Sequence, residues 1–277
     1  MAQSLQQLKR RIKTASNIAQ VARSMEMISA SKIKRAQKTV ENNKPYAEKI
    51  TNLASSILRH MDRAKFQSPY TDGNDSEKTL LIVISTDKGL CGSLNTNLFK
   101  KLLEVESKNV KILALGRRSH SISSRLSGDF VTGINLGTTT PEYSLVFRLI
   151  EIINQEFLKG EVGRVQILYN QFGSIFSQVP TLKTILPIEI QNTEEGTLPY
   201  LFEPAAEEII SDLLHYYIET VLYSSLIEAF TSEQAARMVA MQNAKNNALD
   251  IAEYLTLSYN KSRQERITNE LLTLNNS

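Results

Sequence analysis

The sequence predicts an α/β protein that also carries a long coiled coil: two long terminal helices paired antiparallel, with a sheet-and-helix domain between them. Three observations predict it. All eleven glycines lie between Gly73 and Gly196, and proline is absent from residues 1–44 and 205–277. Both residues break helices, so each end of the chain can run as unbroken helix. The first end repeats apolar residues in alternating steps of three and four, the spacing of a coiled-coil seam. The middle alternates β-branched runs with amphipathic segments, as a helix-covered sheet does.

In order along the chain, the first helix reads Leu5, Leu8, Ile12, Ala15, Ala19 and Ala22 as its seam. Around "ARSMEMISA" the apolar residues Ala22, Met25, Met27, Ile28 and Ala30 spread round the axis. Pro45 is placed to kink this helix, after which Ile50, Leu53 and Ile57 resume the spacing. In the middle, 79–86 reads as a buried strand, 93–107 as a helix and 110–116 as a strand. A helix over 142–157 follows, then strands over 164–172 and 181–190, together a Rossmann-like domain. The last helix begins near Pro204 and runs to about Leu272, with Ala244, Ala248, Ile251 and Leu255 on its seam. At about 1.5 Å per residue the two helices are on the order of 85 and 100 Å long. The domains are drawn as 1–72 and 197–277 for the coiled coil and 73–196 for the central α/β domain.

The stretch "SEQAARMVAMQNA", Ser232–Ala244, leaves no clear polar face, so it requires cover on most sides. Two paired helices cover only one side of each other, and a slim apolar rod implies an outer sleeve. Charge is distributed unevenly. Residues 1–40 carry nine Lys or Arg against Glu26 alone, whereas 184–236 hold ten acids and no Lys or Arg. The basic run Lys32, Lys34, Arg35 and Lys38 is expected towards the same end of the rod as Glu207, Glu208, Asp212 and Glu219. A basic helix could instead lie along nucleic-acid phosphates, but the interleaved aromatics of a base-stacking surface are missing and there is no Trp.

Cys91 is the only cysteine, which excludes an internal disulfide. No apolar run approaches the roughly 18–20 residues needed to span a bilayer. The basic, acid-poor start resembles a transit peptide, but its helical pattern continues past residue 30 and is read as structural. "STDKGLCGSLN" sits between a strand and a helix, where phosphate can bind. It lacks both the Walker and the G-x-G-x-x-G patterns, so it reads as a tight turn, with Cys91 a partly exposed thiol. His60, His120 and His215 are too scattered for a metal site and are expected at the surface or packed on helix faces. Glu194/Glu195 and Glu207/Glu208 are adjacent pairs that point apart. Nothing assembles a catalytic constellation, and neither cofactor nor metal is expected. "YNKSRQER", Tyr259–Arg266, is either a solvated stretch or a polar collar for an encircling partner.

Taken together, "MEMISASKIKRAQ", "STDKGLCGSLN" and "SEQAARMVAMQNA…LTLSYNKSRQERITNEL" resemble the gamma subunit of the F-type ATP synthase, in order and over the chain from about residue 2. That resemblance implies a rotor shaft inside a ring of three alpha and three beta subunits. It also implies a foot that stands, with the epsilon subunit, on a membrane c-ring, at the cytoplasmic face of a bacterial inner membrane or the matrix side of a mitochondrial one. It implies beta-subunit contacts at Met25, Cys91, Arg237, Arg263, Gln264, Thr268 and Glu270. The "YLFEP" segment is implied to meet epsilon and the c-ring through Tyr200, Phe202 and Glu203, although Phe202 stands where the family often has tyrosine. The polar "TLNNS" after Leu272 departs from the family's apolar tip. The regulatory cysteine pair of the chloroplast form is absent, so thiol control is not expected.

Overall fold

Without glycine, and with no proline before Pro45, the N-terminal segment forms one helix, α1, over Leu5–His60. Pro45 sits inside it without ending it, at the cost of one intrahelical hydrogen bond. The computed structural model describes residues 5–60, 68–105, 109–125, 129–188 and 206–275.

After a short helix α2 (Pro69–Asp72) come β1 (Thr79–Ile84), α3 (Leu94–Val105), β2 (Val110–Leu115) and α4 (Arg117–Ser123). They are followed by β3 (Asp129–Ile134), α5 (Ser144–Phe157), β4 (Arg164–Phe172) and β5 (Gln178–Leu186), and the chain closes with α6 (Ala206–Asn275). The strand order is β3-β2-β1-β4-β5, parallel except for β5, which returns antiparallel on β4. The chain thus steps outward from β1 to β3 and then crosses back to β4, making a topological switch point between β1 and β4.

The strands expected at 79–86, 110–116 and 164–172 and the helices at 93–107 and 142–157 are present to within a few residues. The last strand lies at Gln178–Leu186 rather than 181–190, and α4 and β3 were not anticipated. β3 is an edge strand that is partly or fully exposed along its length and carries Asp129, Thr132 and Gly133, so it has no apolar alternation to read. Pro180 is tolerated in β5 because that strand is also an edge.

The chain divides into two compact units, Lys32–Ala236 and Met1–Ser31 with Arg237–Ser277. In the first unit, the sheet buries both faces. Leu80, Ile82 and Ile84 pack with Leu149 and Ile153 of α5, with Ile57 of α1 and with Leu214, Ile218 and Leu222 of α6. Leu81 and Val83 pack on the other face with Leu98 and Leu102 of α3. Each such side chain contributes about 1.5–3 kcal/mol on leaving water. His215 stands edge-on to Tyr70 and His120 edge-on to Phe130, the packing roles expected of them.

The second unit is a narrow helical pair. Leu8, Ala15, Ala19 and Ala22 of α1 and Ala248 of α6 are buried along the expected seam, and Ser29 and Met241, not anticipated there, are buried as well. Ile251 departs from expectation: it is 53% exposed, and the seam passes through half-buried Ala252 instead. From Ala248 a step of four, not three, keeps the small residue inside, so the larger side chain faces out.

Candidate functional site

In an open α/β sheet, ligands usually bind at the carboxyl ends of the strands beside the switch point. Here that crevice is bounded by Ile84 at the end of β1, Ser85 and Thr86 just after it, and Asn170 of β4. Leu226, Ala229, Phe230 and Glu233 of α6 fill it, against Leu94, Leu136 and Pro141. The cavity that remains is about 10 Å³, the room one water needs. Thr231, Ser232, Glu233, Gln234 and Ala235 are all buried. The first part of the "SEQAARMVAMQNA" stretch is therefore covered within this chain, and the crevice serves as a socket for a helix.

The turn after β1 is rigidly tied. Thr86 Oγ1 donates to the Lys88 carbonyl at 2.7 Å, and Asn95 Nδ2 donates to Thr86 Oγ1 at 2.9 Å and to Cys91 Sγ at 3.3 Å. Cys91 is only 2% exposed, so the expectation of a partly exposed thiol is corrected. The thiol turns inward under the first turn of α3, where Asn95 meets it. Its neighbour turns outward: Leu90 is 60% exposed and, at φ 64°, is the one non-glycine with positive φ among the described residues. That conformation costs a leucine about 1–2 kcal/mol.

Asp87 extends the same network. Its carboxylate accepts from the Arg117 amide at 2.8 Å and from the Gly137 amide at 2.6 Å, tying the segments that follow β1, β2 and β3. The segment after β3 then meets both long helices within this unit. Leu136, Gly137, Thr139 and Pro141 line the α6 socket, and Lys32 of α1 donates to the Thr138 carbonyl. Glu219 accepts from the Tyr143 hydroxyl at 2.7 Å. Lys32 and Glu219, expected to sit in a band of opposite charge, are thus held by neutral partners on the loop after β3 and at the start of α5.

In the helical-pair unit the outer faces stay apolar. Ile18, Val21, Met27 and Ile28 on α1 and Leu249, Tyr254 and Leu257 on α6 are each more than half exposed. Met25 is half-buried beside them, and Arg237 is buried at 8% exposure. Further along α6, Arg263, Gln264, Thr268 and Glu270 are exposed in one tract. Thr268 Oγ1 donates to the Gln264 carbonyl at 3.0 Å, and Glu270 accepts from Arg266 at 2.8 Å. Tyr200, Phe202 and Glu203 lie outside the described residues. Among the described residues no group of His, Cys, Asp or Glu is arranged to hold a metal ion, and no helix is long and apolar enough to cross a membrane.

The ATP synthase family model matches residues 4–275. The ATP synthase gamma chain of Brevibacillus brevis is 34% identical over 281 residues, covering 98% of this chain and 96% of that relative. The chain belongs to the ATP synthase gamma chain family. A second gamma chain, from Nitrosomonas europaea, is 34% identical over 286 residues, covering 97% of this chain and 96% of that one. The gamma-family fold extends to solved structures. A chain of Euglena gracilis mitochondrial ATP synthase, solved by cryo-EM with OSCP, F1 and c-ring, matches with a TM-score of 0.72 at 19% identity, covering 98% of this chain and 92% of that one. A chain from the rotor of the same enzyme matches at 0.67, again at 19% identity, covering 95% of this chain and 98% of that one. At that identity the likeness speaks for the fold alone. Within this chain, sequence reading missed Leu90 and Asp87. Leucine in a glycine-containing turn carries no signal of exposure, and an aspartate after a strand is read as a turn former before it is read as a tether.

Proposed function

We propose that this chain is the central rotor shaft of an F-type ATP synthase, transmitting rotation of a membrane c-ring to catalytic beta subunits. In this way it couples proton flow to ATP synthesis or hydrolysis. The observation that carries the reading is the helical pair with a narrow Ala-rich seam and exposed Ile18, Val21, Ile28, Leu249 and Leu257 on its outer sides. Apolar surface of that extent calls for a surrounding partner, and a hexamer of three alpha and three beta subunits with one copy of this chain supplies it.

The functional division we assign is a shaft of 1–72 and 197–277 and a foot of 73–196 that binds epsilon and the c-ring. Met25, the Cys91 turn, Arg237, Arg263, Gln264, Thr268 and Glu270 are assigned to beta, and Tyr200, Phe202 and Glu203 to epsilon and the c-ring. The shaft acts by differential binding: each orientation presents a different face to each beta subunit and so favours one of its affinity states. Driving a two-state site from 1:99 to 99:1 takes about 5.5 kcal/mol of differential contact, a few buried apolar side chains' worth. In this reading the chain is a non-catalytic subunit. It reaches the membrane only through the c-ring, at the cytoplasmic face of a bacterial inner membrane, a placement supported by its bacterial relatives.

The test is assembly. The purified chain is mixed with alpha and beta subunits, and the native mass and ATPase rate are measured. One copy per six subunits, with ATPase activity dependent on the chain, is expected. Failure to co-assemble would contradict the reading.

A further inference from the structure

We propose that one ordered water molecule is bound inside the α6 socket, where it bridges Asn170 of β4 and Glu233 of α6. The site belongs to the folded chain itself and goes beyond the rotor reading above.

The two residues line the same cavity, whose volume of about 10 Å³ suits a single water and nothing larger. Asn170 is 3% exposed, and its Oδ1 atom is buried with no hydrogen-bond partner among the described residues. An unpaired buried acceptor is costly, and native interiors satisfy nearly all of them with protein groups or ordered water. The two hydroxyls at the end of β1 are already engaged. Ser85 Oγ donates to the Leu115 carbonyl at 3.2 Å and accepts from the Ser119 amide at 2.6 Å. Thr86 Oγ1 donates to the Lys88 carbonyl and accepts from Asn95. A hydroxyl has one proton to give, so neither serves Asn170. Glu233, buried on the α6 wall, brings carboxylate oxygens, which accept and do not donate when ionised. An amide oxygen and a carboxylate cannot bond each other, whereas a water between them donates one proton to each. Thr139, on the loop side of the cavity, carries a hydroxyl that can donate to the water oxygen, which completes three partners. Much of the remaining wall is apolar, with Ile84, Leu94, Leu136, Leu226 and Phe230, so it offers a metal ion too few oxygens. Bridged in this way, β4 and α6 are joined by a polar contact as well as by packing.

Ala229 lines the cavity and is buried, so Ala229→Val fills it. Filling a dry void raises stability, whereas displacing a bound water leaves Asn170 unpaired and lowers it. In the full chain, Ala229→Val is expected to unfold at a lower urea midpoint than wild type. Adding Asn170→Leu, which removes the orphaned acceptor, is expected to restore most of that loss. Magnetic relaxation dispersion of solvent water is expected to count one long-lived water fewer in Asn170→Leu than in wild type, and this measurement decides the point even if Ala229→Val does not fold. A raised midpoint for Ala229→Val, no recovery in the double variant, or an unchanged count of long-lived waters would each overturn the proposal.

Discussion

Glu26, the only acid among residues 1–40, accepts a hydrogen bond from Lys245 of α6 at 2.8 Å. Both side chains are largely shielded, at 21% and 24% exposure. The pair locks the register of the helical unit near the ends of its two stretches that lie closest to Ser31 and Arg237. A double-mutant cycle with Glu26→Gln and Lys245→Met, read by urea unfolding, is expected to give a coupling of about 1 kcal/mol. A coupling indistinguishable from zero would remove the pair from the account of register.

Asp87 tethers three segments with one carboxylate, so its loss is felt beyond the turn. Asp87→Ala is expected to cost about 2–3 kcal/mol, since it strips charged acceptors from two backbone amides. Hydrogen exchange at the Arg117 and Gly137 amides should accelerate together. Unchanged protection at Gly137 would show that the segment after β3 holds itself.

Two glycines with positive φ make a controlled contrast. A Cβ at Gly116, φ 92°, would stand 2.3 Å from the Ser85 carbonyl oxygen, whereas one at Gly137, φ 78°, would meet nothing within 4 Å. Gly116→Ala is therefore expected to cost about 3 kcal/mol or more, combining overpacking with strain. Gly137→Ala is expected to cost only about 1 kcal/mol, from strain alone. Thermal unfolding of the two variants side by side checks the order, and equal losses would contradict it.

Alkaline stability follows from Tyr169, buried at 4% exposure on β4. Burial first, then the Glu228 charge, raises its pKa above the ordinary 10.0. A tyrosine with a raised folded pKa leaves the native state holding the proton that the unfolded chain releases. Its contribution is complete below about pH 10 and is lost progressively above it. Tyr143, raised by burial and by its bond to Glu219, acts in the same direction. Urea midpoints for Tyr169→Phe should fall less steeply above pH 10 than those of wild type, and parallel slopes would contradict the assignment.

The long helices were legible because a coiled-coil seam is a repeat: Leu8, Ala15, Ala19 and Ala22 declare a face before any partner is known. The strand at Thr79–Ile84 was legible because both faces of a central strand are buried, so nearly every residue is apolar. The strand at Arg164–Phe172 was legible from the buried Ile167, Leu168 and Tyr169 at its centre. β3 was not, because an edge strand can be polar on both faces. Leu90 was not, because exposure there follows from a backbone conformation set by partners as distant as Arg117 and Gly137, which pattern does not encode. The socket for α6 was also hidden. Phe230 and Glu233 show their role only when the ends of β1 and β4 are brought beside them.

The most direct test of the rotor is to watch it turn. Lys159 is exposed on the α/β body and Cys91 is buried, so Lys159→Cys offers a single reactive thiol for a bead or rod. With the alpha–beta hexamer fixed to a surface, ATP is expected to drive stepwise rotation of the marker in one direction, stopping when ATP is withdrawn. A marker that stays fixed, or that wanders without direction while ATP is hydrolysed, would contradict the rotor.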